Sequence, residues 1–319
     1  MASFKLMTYE TGEGARAGLL AGDGAFDVAG ATGEPRYNSV MAILADWDRA
    51  KETLSAFAAG AGAEGGGAGG AGGASRAGAL DRSNLRLLAP LPMPGTIYCA
   101  GANYRDHVLE MARAQNIQPE RDPHELGLKA WHFIKSSRCV VAPNAVVPLP
   151  PHSNKVDWEA ELGVVIGRPA RNVPQDRALD VVAGYTIGND LSARDLSRRQ
   201  GISDTSPFKF DWVAQKCFDG ACPLGPWIVP AADVPDPHKL KIELTVNGVV
   251  KQSSNTSELI FNISEQIAHL SERITLHPGD VILTGTPAGV GAGRGEFLQA
   301  GDEVRITIER VGELVNRFA

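Results

Sequence analysis

The chain has 319 residues, about twice the length of an average domain, so we expect one large domain or a small and a larger one. Hydrophobic residues make up 43% and charged residues 21%, which is typical of a globular protein and too apolar for a disordered one. The net charge is −6 and no basic stripe occurs, which argues against nucleic acid or an anionic membrane as the main partner. A small ligand or another protein remains as the expected partner.

The cysteines and the start of the chain bear on the compartment. No C-x-x-C pair or metal-finger spacing occurs, so we expect unpaired thiols in a reducing compartment. Residues 1–9 lack a cationic segment followed by an apolar stretch, and no apolar run approaches about 18 residues. The sequence therefore predicts a cytoplasmic protein without a membrane span.

Residues 1–85 are predicted to form a small α+β domain. Short strands separated by glycine turns occupy 4–28, and apolar residues at helical spacing predict a helix over Ser39–Ala59. The tract from Gly60 to Ala74 contains mainly glycine and alanine, which cannot build a core, so it is interpreted as a loop or linker.

Residues 86–319 are predicted to form a second, β-rich domain. Apolar and polar residues alternate from Leu240 to Val246, and Asn247-Gly248 follows as a hairpin turn signal. One helix is predicted with Ser264 as its N-cap and an end before Pro278. This helix is predicted to place Ile267, Leu270 and Ile274 on one side. The fold class is therefore expected to be α+β and β-rich, with a mixed β-sandwich or roll.

The segment from Val156 to Gly167 is the most informative part of the sequence. It ends in a buried-strand run, and alternation along a strand would place Asp157, Glu159 and Glu161 on one face. Three carboxylates on one face repel one another unless a cation lies between them, and a hard divalent cation such as Mg²⁺ suits oxygen ligands. The alternative is a solvated strand face, which the apolar run that follows disfavours.

Asp190 is the second candidate ligand. It follows the apolar strand Tyr185–Asn189, at the point where a sheet would present a side chain for metal binding. Asp190 could complete a three-carboxylate site, and spacing alone leaves this open.

His107 and Glu110 form a candidate general-base dyad. If a helix begins near Tyr104, the two residues lie at i and i+3 on one side, where the carboxylate can orient the imidazole and raise its basicity. The alternative is an ordinary surface histidine beside an ordinary surface glutamate.

Two further features are weaker by themselves. Lys216 lies in a stretch with several aromatic residues and could be a partly buried cation or a surface lysine with a buried stem. The glycine-rich stretch from Thr284 to Gly293 follows an apolar strand but lacks the residues of a Walker loop and the context of a dinucleotide site. Backbone N–H groups and Thr286 binding a carboxylate fit this loop better.

Five motifs in order give the chain a resemblance to a known family. They are G-x-N-Y-R-D-H-x-x-E from Gly101, V-D-x-E-A-E-L-x-V-V-I-G from Val156, G-Y-T-x-x-N-D-x-S-A-R-D from Gly184, a lysine before F-D-x-x-x-P-x-G-P-W at Lys216, and L-x-P-G-D-V-I-L-T-G-T-P-x-G-V-G from Leu276. Over about residues 94–316 the sequence resembles the fumarylacetoacetate hydrolase family. The N-terminal region is similar to the small domain that many members carry.

The resemblance implies a dimeric, mixed β-sandwich roll that binds Mg²⁺ or Mn²⁺, with Ca²⁺ as a substitute in crystals. It implies metal ligation by Glu159, Glu161 and Asp190, and it leaves Asp157 outside the ligand set. It assigns catalytic roles to His107, Glu110 and Lys216. Substrate binding is expected at Tyr104, Arg105, Lys135, Gly285 and Thr286.

The chain departs from the family pattern at two positions. Ser197 stands where fumarylacetoacetate hydrolases proper have a glutamine that helps to bind the oxyanion, and Gly220 stands where many members have a threonine. The segments Met111–Ala130 and Gln200–Trp212 are long for the family and are placed to shape a pocket or its lid.

The resulting hypothesis is a metal-dependent hydrolase that cleaves a C–C bond in a 2,4-dioxo acid of the fumarylacetoacetate or acylpyruvate type. His107 and Glu110 would activate water, and the leaving fragment would depart as a metal-bound enolate. A decarboxylase, hydratase, dehydratase, lyase or isomerase acting on a 2-oxo acid at the same metal site is the alternative. A scaffold protein that has lost catalysis is disfavoured by the intact dyad.

Overall fold

The computed structural model describes residues 3–63, 77–114, 116–119 and 121–319. Seven α-helices form within these residues. They are α1 (Val28–Thr32), α2 (Val40–Ala45), α3 (Trp47–Ala63), α4 (Arg105–Ala114), α5 (Trp212–Lys216), α6 (Ile263–Ser271) and α7 (Gly291–Arg294). None of the helices in these ranges is long and apolar enough to cross a membrane.

Strands dominate the described chain, as the sequence predicts. The first ten are β1 (Lys5–Thr11), β2 (Gly14–Ala21), β3 (Gly24–Asp27), β4 (Ala79–Leu80), β5 (Leu87–Leu88), β6 (Ile97–Ala100), β7 (His132–Lys135), β8 (Val140–Val141), β9 (Val146–Val147) and β10 (Val156–Asp157). The others are β11 (Ala160–Ile166), β12 (Val182–Asn189), β13 (Ser192–Ala193), β14 (Cys222–Pro230), β15 (Lys241–Val246), β16 (Val249–Asn255), β17 (Val281–Leu283), β18 (Glu303–Ile308) and β19 (Gly312–Phe318).

Two large open sheets build the fold. The larger has the order β4-β3-β2-β1-β14-β12-β11-β17-β6-β7, with β5 on β1 and β8 on β14. The smaller has the order β16-β15-β18-β19-β9, and β10 pairs with β13 in a separate ribbon. Most pairings are antiparallel, but β17 runs parallel to β6. The predicted α+β, β-rich class is therefore confirmed.

Strand β11 is central to the larger sheet and is buried on both faces. Leu162 and Val164 point to the core shared with the smaller sheet, whereas Val165 points to the core beneath the N-terminal helices. A strand buried on both faces needs apolar residues at consecutive positions, which explains the continuous run that marked this segment in the sequence.

The N-terminal segment shares a sheet with the remainder of the chain. β1 pairs antiparallel with β14, with Leu6 opposite Ile228. Trp47 and Leu54 pack in the same core as Val281. The N-terminal strands therefore extend the sheet that carries the candidate site, and this holds wherever the boundary between the two regions lies.

Two helix predictions need correction. The predicted helix over Ser39–Ala59 is two helices, because Asp46 breaks it while its carboxylate accepts the Tyr37 hydroxyl at 2.8 Å. α3 then continues past Gly60, where the linker was predicted to begin, to Ala63, and residues 64–76 of that tract lie outside the described residues.

The predicted cap of α6 is also wrong. Asn262, not Ser264, caps the helix: its side chain accepts from the Glu265 N–H, and the Glu265 carboxylate accepts from the Asn262 N–H. This reciprocal capping box begins the helix two residues early. The helix ends at Ser271, so Ile274 lies beyond it, and its side chain is 48% exposed.

The hairpin prediction is confirmed. β15 and β16 pair with Val246 opposite Val249, and Asn247 and Gly248 both have positive φ angles, of 51° and 77°. Such a turn matches the twist of the strands that it joins. All four cysteines are free thiols, as predicted.

Candidate metal centre and active-site cavity

Three carboxylates converge at the ends of β11 and β12. Antiparallel pairing places Ala160 opposite Asn189, so Glu159 and Glu161 flank the position where Asp190 leaves its strand. The Asp190 N–H donates to the Glu159 carbonyl at 2.9 Å. One oxygen of each of the three carboxylates lies within 4.8 Å of the others, and all three side chains are buried.

Asp157 does not join this group, although strand alternation places it on the same face. The strand breaks at Trp158 and Glu159, between β10 and β11. The Asp157 carboxylate instead accepts the backbone N–H groups of Gly291 (2.6 Å) and Ala292 (3.0 Å). It therefore fixes the start of α7 in the glycine-rich loop.

Three buried or half-buried cations balance part of the acidic charge. Lys216 Nζ donates to Glu159 Oε2 at 2.8 Å and to Asp190 Oδ2 at 2.6 Å. Lys135 Nζ donates to Asp190 Oδ1 at 2.5 Å, and Arg194 bridges Asp157 and Glu159. Burial alone would raise the pKa of Glu159, but the charges of Lys216 and Arg194 hold this pKa below its usual range.

Glu161 is the carboxylate without such a partner. Its Oε2 accepts the Gly285 N–H at 2.7 Å, and no cationic side chain of the described residues lies within ion-pair distance of it. Burial, followed by the charges of Asp190 and Glu159, raises the pKa of Glu161 well above its usual range. The three carboxylates are buried, their negative charge is only partly compensated by cations, and they offer only oxygen atoms as ligands. Such a cluster fits a hard divalent cation.

A cavity of about 140 Å³ opens beside the carboxylates. Six of the predicted site residues line it: His107, Glu159, Glu161, Asp190, Lys216 and Thr286. Trp131, Phe133 and Trp212 form an aromatic wall, and the Trp131 and Trp212 rings lie 5.2 Å apart. The cavity is therefore lined by polar and charged side chains together with an aromatic wall.

His107 and Glu110 lie on the first turns of α4, as the predicted helix requires. His107 Nδ1 is 3.8 Å from Glu110 Oε2, which is ion-pair distance but too long for a hydrogen bond. Glu110 Oε2 also accepts the Gly289 N–H at 2.8 Å. Burial alone would raise the pKa of Glu110, but the contacts with His107 and Gly289 lower it.

The remaining predicted substrate-binding residues surround the cavity without lining it. Tyr104 is fully buried and its hydroxyl has no hydrogen-bond partner in the described structure. Arg105 donates to the Leu259 carbonyl at 3.2 Å and lines an adjoining cavity. Lys135 contacts the carboxylate of Asp190, and the Gly285 N–H contacts the carboxylate of Glu161.

Gln252 is a site residue that the sequence did not reveal. Its Oε1 accepts the Ala160 N–H at 2.9 Å, and its Nε2 donates to the Pro287 carbonyl and to Thr286 Oγ1, both at 2.8 Å. Because Thr286 Oγ1 accepts this bond, its own hydrogen must point elsewhere, and Thr286 faces the cavity. Gln252 lies on an ordinary hairpin strand, so no local pattern marked it.

Arg194 and Gln215 also line the cavity and were not predicted as site residues. Arg194 lies inside the quoted S-A-R-D motif, so its position was visible in the sequence although its role was not.

The structure shows the surroundings of the two residues that depart from the family pattern. The Ser197 hydroxyl donates to the Arg194 carbonyl at 2.8 Å and does not line the cavity. Gly220 has a φ of 82°, and a Cβ there would lie 2.8 Å from Val147 Cγ1. A threonine at this position would be strained in this chain.

The chain is similar to known proteins in sequence and in structure. The sequence model of the fumarylacetoacetate (FAA) hydrolase C-terminal family matches residues 96–319. The human (Homo sapiens) mitochondrial oxaloacetate tautomerase FAHD2B is 43% identical over 238 residues, which cover 74% of this chain and 70% of that protein.

Solved structures match over nearly the whole chain. The 5-carboxymethyl-2-hydroxymuconate delta-isomerase of Mycobacterium smegmatis has a TM-score of 0.70 and 31% identity, with 99% of each chain covered. The maleylpyruvate hydrolase of Sphingobium sp. SYK-6, in complex with manganese(II) and pyruvate, has a TM-score of 0.71 and 28% identity, with 99% of this chain and 98% of that chain covered. Together with the match to the family model, these similarities confirm the predicted fold, and the chain belongs to the fumarylacetoacetate hydrolase family.

Proposed function

We propose that this protein is a divalent-metal-dependent enzyme that converts a 2-oxo acid through its enolate, with keto–enol tautomerisation as the reaction. The observation that carries the proposal is the buried cluster of Glu159, Glu161 and Asp190, which faces His107 across one cavity. The 43% identity to an oxaloacetate tautomerase supports proton transfer as the chemistry.

The metal would be Mg²⁺ or Mn²⁺, held by Glu159, Glu161 and Asp190. When bound, it would polarise the 2-oxo group and stabilise the negative charge of the enolate. The all-oxygen ligand set supports both ions, and the manganese in the maleylpyruvate hydrolase structure supports the second. Ca²⁺ has the same ligand preference and could replace either ion in a crystal.

His107 would move the proton at the carbon next to the 2-oxo group. Its ring lines the cavity, and Glu110 lies on the Nδ1 side, where a carboxylate stabilises the imidazolium that forms. The Gly289 N–H holds Glu110 in this position. In the enol-to-keto direction the dyad would accept the proton that leaves the enol oxygen and deliver a proton to the carbon, and in the other direction it would do the reverse, so that protons balance in each turnover.

The charges around the cavity favour an anionic substrate. Four carboxylates, Asp157 included, face the three cations Lys135, Lys216 and Arg194. With a divalent cation bound and all four carboxylates ionised, the net charge of this group would be +1, which a single carboxylate neutralises. The Thr286 hydroxyl would donate to that carboxylate, and Lys216 would stabilise charge on the reacting oxygen.

Hydrolysis of a C–C bond in a 2,4-dioxo acid is the second candidate. The similarity to maleylpyruvate hydrolase favours it, and the same dyad would deprotonate a water for attack on the C4 carbonyl. Decarboxylation and hydration would use the same enolate. A scaffold without catalysis would have no use for a histidine that faces the carboxylate cluster.

The proposal extends to the assembly and the compartment of the protein. A homodimer is expected from the family resemblance, and light scattering on the purified protein would test it. Four free cysteines support a reducing compartment such as the cytoplasm, although the human relative is named as mitochondrial.

One experiment separates the candidate reactions. Enolic oxaloacetate and a panel of acylpyruvates would be incubated with Mg²⁺ or Mn²⁺, while enol absorbance and released pyruvate are both followed. Tautomerisation removes the enol of oxaloacetate without releasing pyruvate, whereas hydrolysis releases pyruvate from acylpyruvates. If a chelator or Glu161→Gln leaves every rate unchanged, the proposed metal-dependent mechanism is wrong.

A further inference from the structure

A second cavity adjoins the cavity beside the carboxylates. It has a volume of about 500 Å³ and lies between α4 and the segment that follows this helix. Ala102 and His107 line both cavities. The two cavities are therefore neighbours at His107.

The two volumes suit different parts of one ligand. Small-molecule sites commonly measure roughly 300–1,000 Å³. The cavity beside the carboxylates, at about 140 Å³, is below this range and suits a short 2-oxo acid head, whereas the adjoining cavity, at about 500 Å³, is within it.

The adjoining cavity is lined mainly by apolar side chains. They include Val108, Leu109, Met111, Ile117, Pro119 and Ile260. Ile117 is 57% exposed and Leu109 is 43% exposed, so both leave apolar surface in water that a bound apolar group would cover. Such a surface, placed beside a reacting centre, favours a ligand with an apolar end.

The charged side chains at the rim are engaged by other groups. Arg105 donates to the Leu259 carbonyl, and Arg121 pairs with Glu125 at 3.2 Å. Asp122 accepts from the backbone and the ring of His124. The arginines at the rim therefore already have hydrogen-bond or ion-pair partners, and the rim also carries an acid. Such a rim does not select a ligand with a second carboxylate.

We propose that the adjoining cavity binds an apolar extension of the substrate, on the side away from its carboxylate. The preferred substrate class is then a 2-oxo acid with an aliphatic or aromatic group of several carbons, larger than oxaloacetate. This inference rests on the proposed function, because it assumes that the 2-oxo acid head lies beside the carboxylates.

The test measures binding and needs no turnover. Calorimetry on the Mn²⁺-loaded protein would give dissociation constants for straight-chain 2-oxo acids from pyruvate to 2-oxooctanoate. Affinity should rise about fourfold for each methylene that enters the cavity, as expected for burial of one CH₂ group. A chain of equal length that ends in a second carboxylate should bind more weakly than the methyl-ended acid.

Ile117→Asp tests the location, and Ile274→Asp is its matched control. Both isoleucines are exposed, at 57% and 48%, so neither change removes a core side chain, and Ile274 lies outside the adjoining cavity. Ile117→Asp should leave pyruvate binding unchanged and flatten the rise with chain length, whereas Ile274→Asp should keep the rise. Val108→Trp would fill the cavity instead of placing a charge in it. This variant should also flatten the rise of affinity with chain length.

The outcomes separate this inference from the proposed function. If pyruvate binds in a metal-dependent way but affinity does not change with chain length, the apolar subsite is wrong and the proposed function stands. The subsite is equally wrong if the carboxylate-ended chain binds more tightly, or if Ile117→Asp and Ile274→Asp behave alike. If no 2-oxo acid binds, the proposed function fails and this inference fails with it.

Discussion

Lys135 offers a sharp test of how charge is balanced at the carboxylate cluster. Its side chain is fully buried, and Nζ donates to Asp190 Oδ1 at 2.5 Å and to the Leu191 carbonyl at 2.9 Å. Lys135→Met keeps a flexible unbranched side chain but removes the cation and both hydrogen bonds. Asp190 would keep Lys216 as its remaining cationic partner.

The expected loss follows from those contacts. Removing one partner of a buried ion pair costs about 3–5 kcal/mol, because the other charge stays buried. Since Lys216 still neutralises part of the charge of Asp190, we expect a value near 3 kcal/mol. A divalent cation beside Asp190 would replace the missing charge, so metal should restore more stability to Lys135→Met than it adds to the wild type.

Urea unfolding with and without Mn²⁺ measures both effects. Lys239→Met is the control, because this lysine is 78% exposed and its pair with Asp236 is on the surface, where changes are usually within about 0.5 kcal/mol. A loss below 1 kcal/mol for Lys135→Met, or an unchanged effect of Mn²⁺, would refute the reasoning. A loss of pyruvate affinity at unchanged stability would instead support the direct substrate contact predicted from the sequence.

Three further predictions follow from other contacts. His107→Asn should lower the turnover rate by about 10²- to 10⁴-fold, while Mn²⁺ affinity, measured by calorimetry, stays unchanged. An equal loss of turnover and of Mn²⁺ affinity would mean that the ring binds the metal instead of transferring the proton. Gln252→Glu should raise KM by about tenfold or more, because a carboxylate would accept the Thr286 hydroxyl hydrogen that the substrate needs. Adding Thr286→Val to this variant should cause little further loss in steady-state kinetics. If the effects of the two substitutions are fully additive, the proposed coupling between the two residues is wrong. Burial lowers the pKa of His132 from 6.5 to about 4, so between these pH values the unfolded chain binds a proton that the folded chain does not. The free energy of unfolding should therefore fall by up to about 3 kcal/mol as the pH drops from 6.5 towards 4. If thermal unfolding of His132→Asn shows the same loss of stability across this pH range as the wild type, the assignment to His132 is wrong.

The sequence predicted several of the strands, and six of the candidate site residues that it pointed to line one cavity. The apolar run of β11, the hairpin at Asn247-Gly248 and the helix that carries His107 and Glu110 are all formed by local patterns. Such patterns depend on neighbouring residues, so they can be interpreted without knowing the fold. The same holds for the ordered motifs that identified the family.

Where local patterns competed, the prediction failed. Ser264 and Asn262 both suit an N-cap, and the reciprocal bond between Asn262 and Glu265 decided in favour of the earlier residue. Asp46 interrupts a sequence with continuous helical periodicity, because its carboxylate is bound by Tyr37. In both cases a specific side-chain hydrogen bond outweighed the average preference of the segment.

The sequence by itself pointed to the candidate residues for the proposed chemistry: carboxylates in a buried strand, a histidine and a glutamate one helical turn apart, and a glycine-rich loop. Only the tertiary structure decided which of them meet. It placed Asp157 beneath the loop instead of in the cluster, brought Lys135 and Lys216 to Asp190, and set Gln252 behind Thr286. These contacts join residues that are 26 to 134 positions apart, and pairing between distant strands, which no local pattern encodes, brings them together.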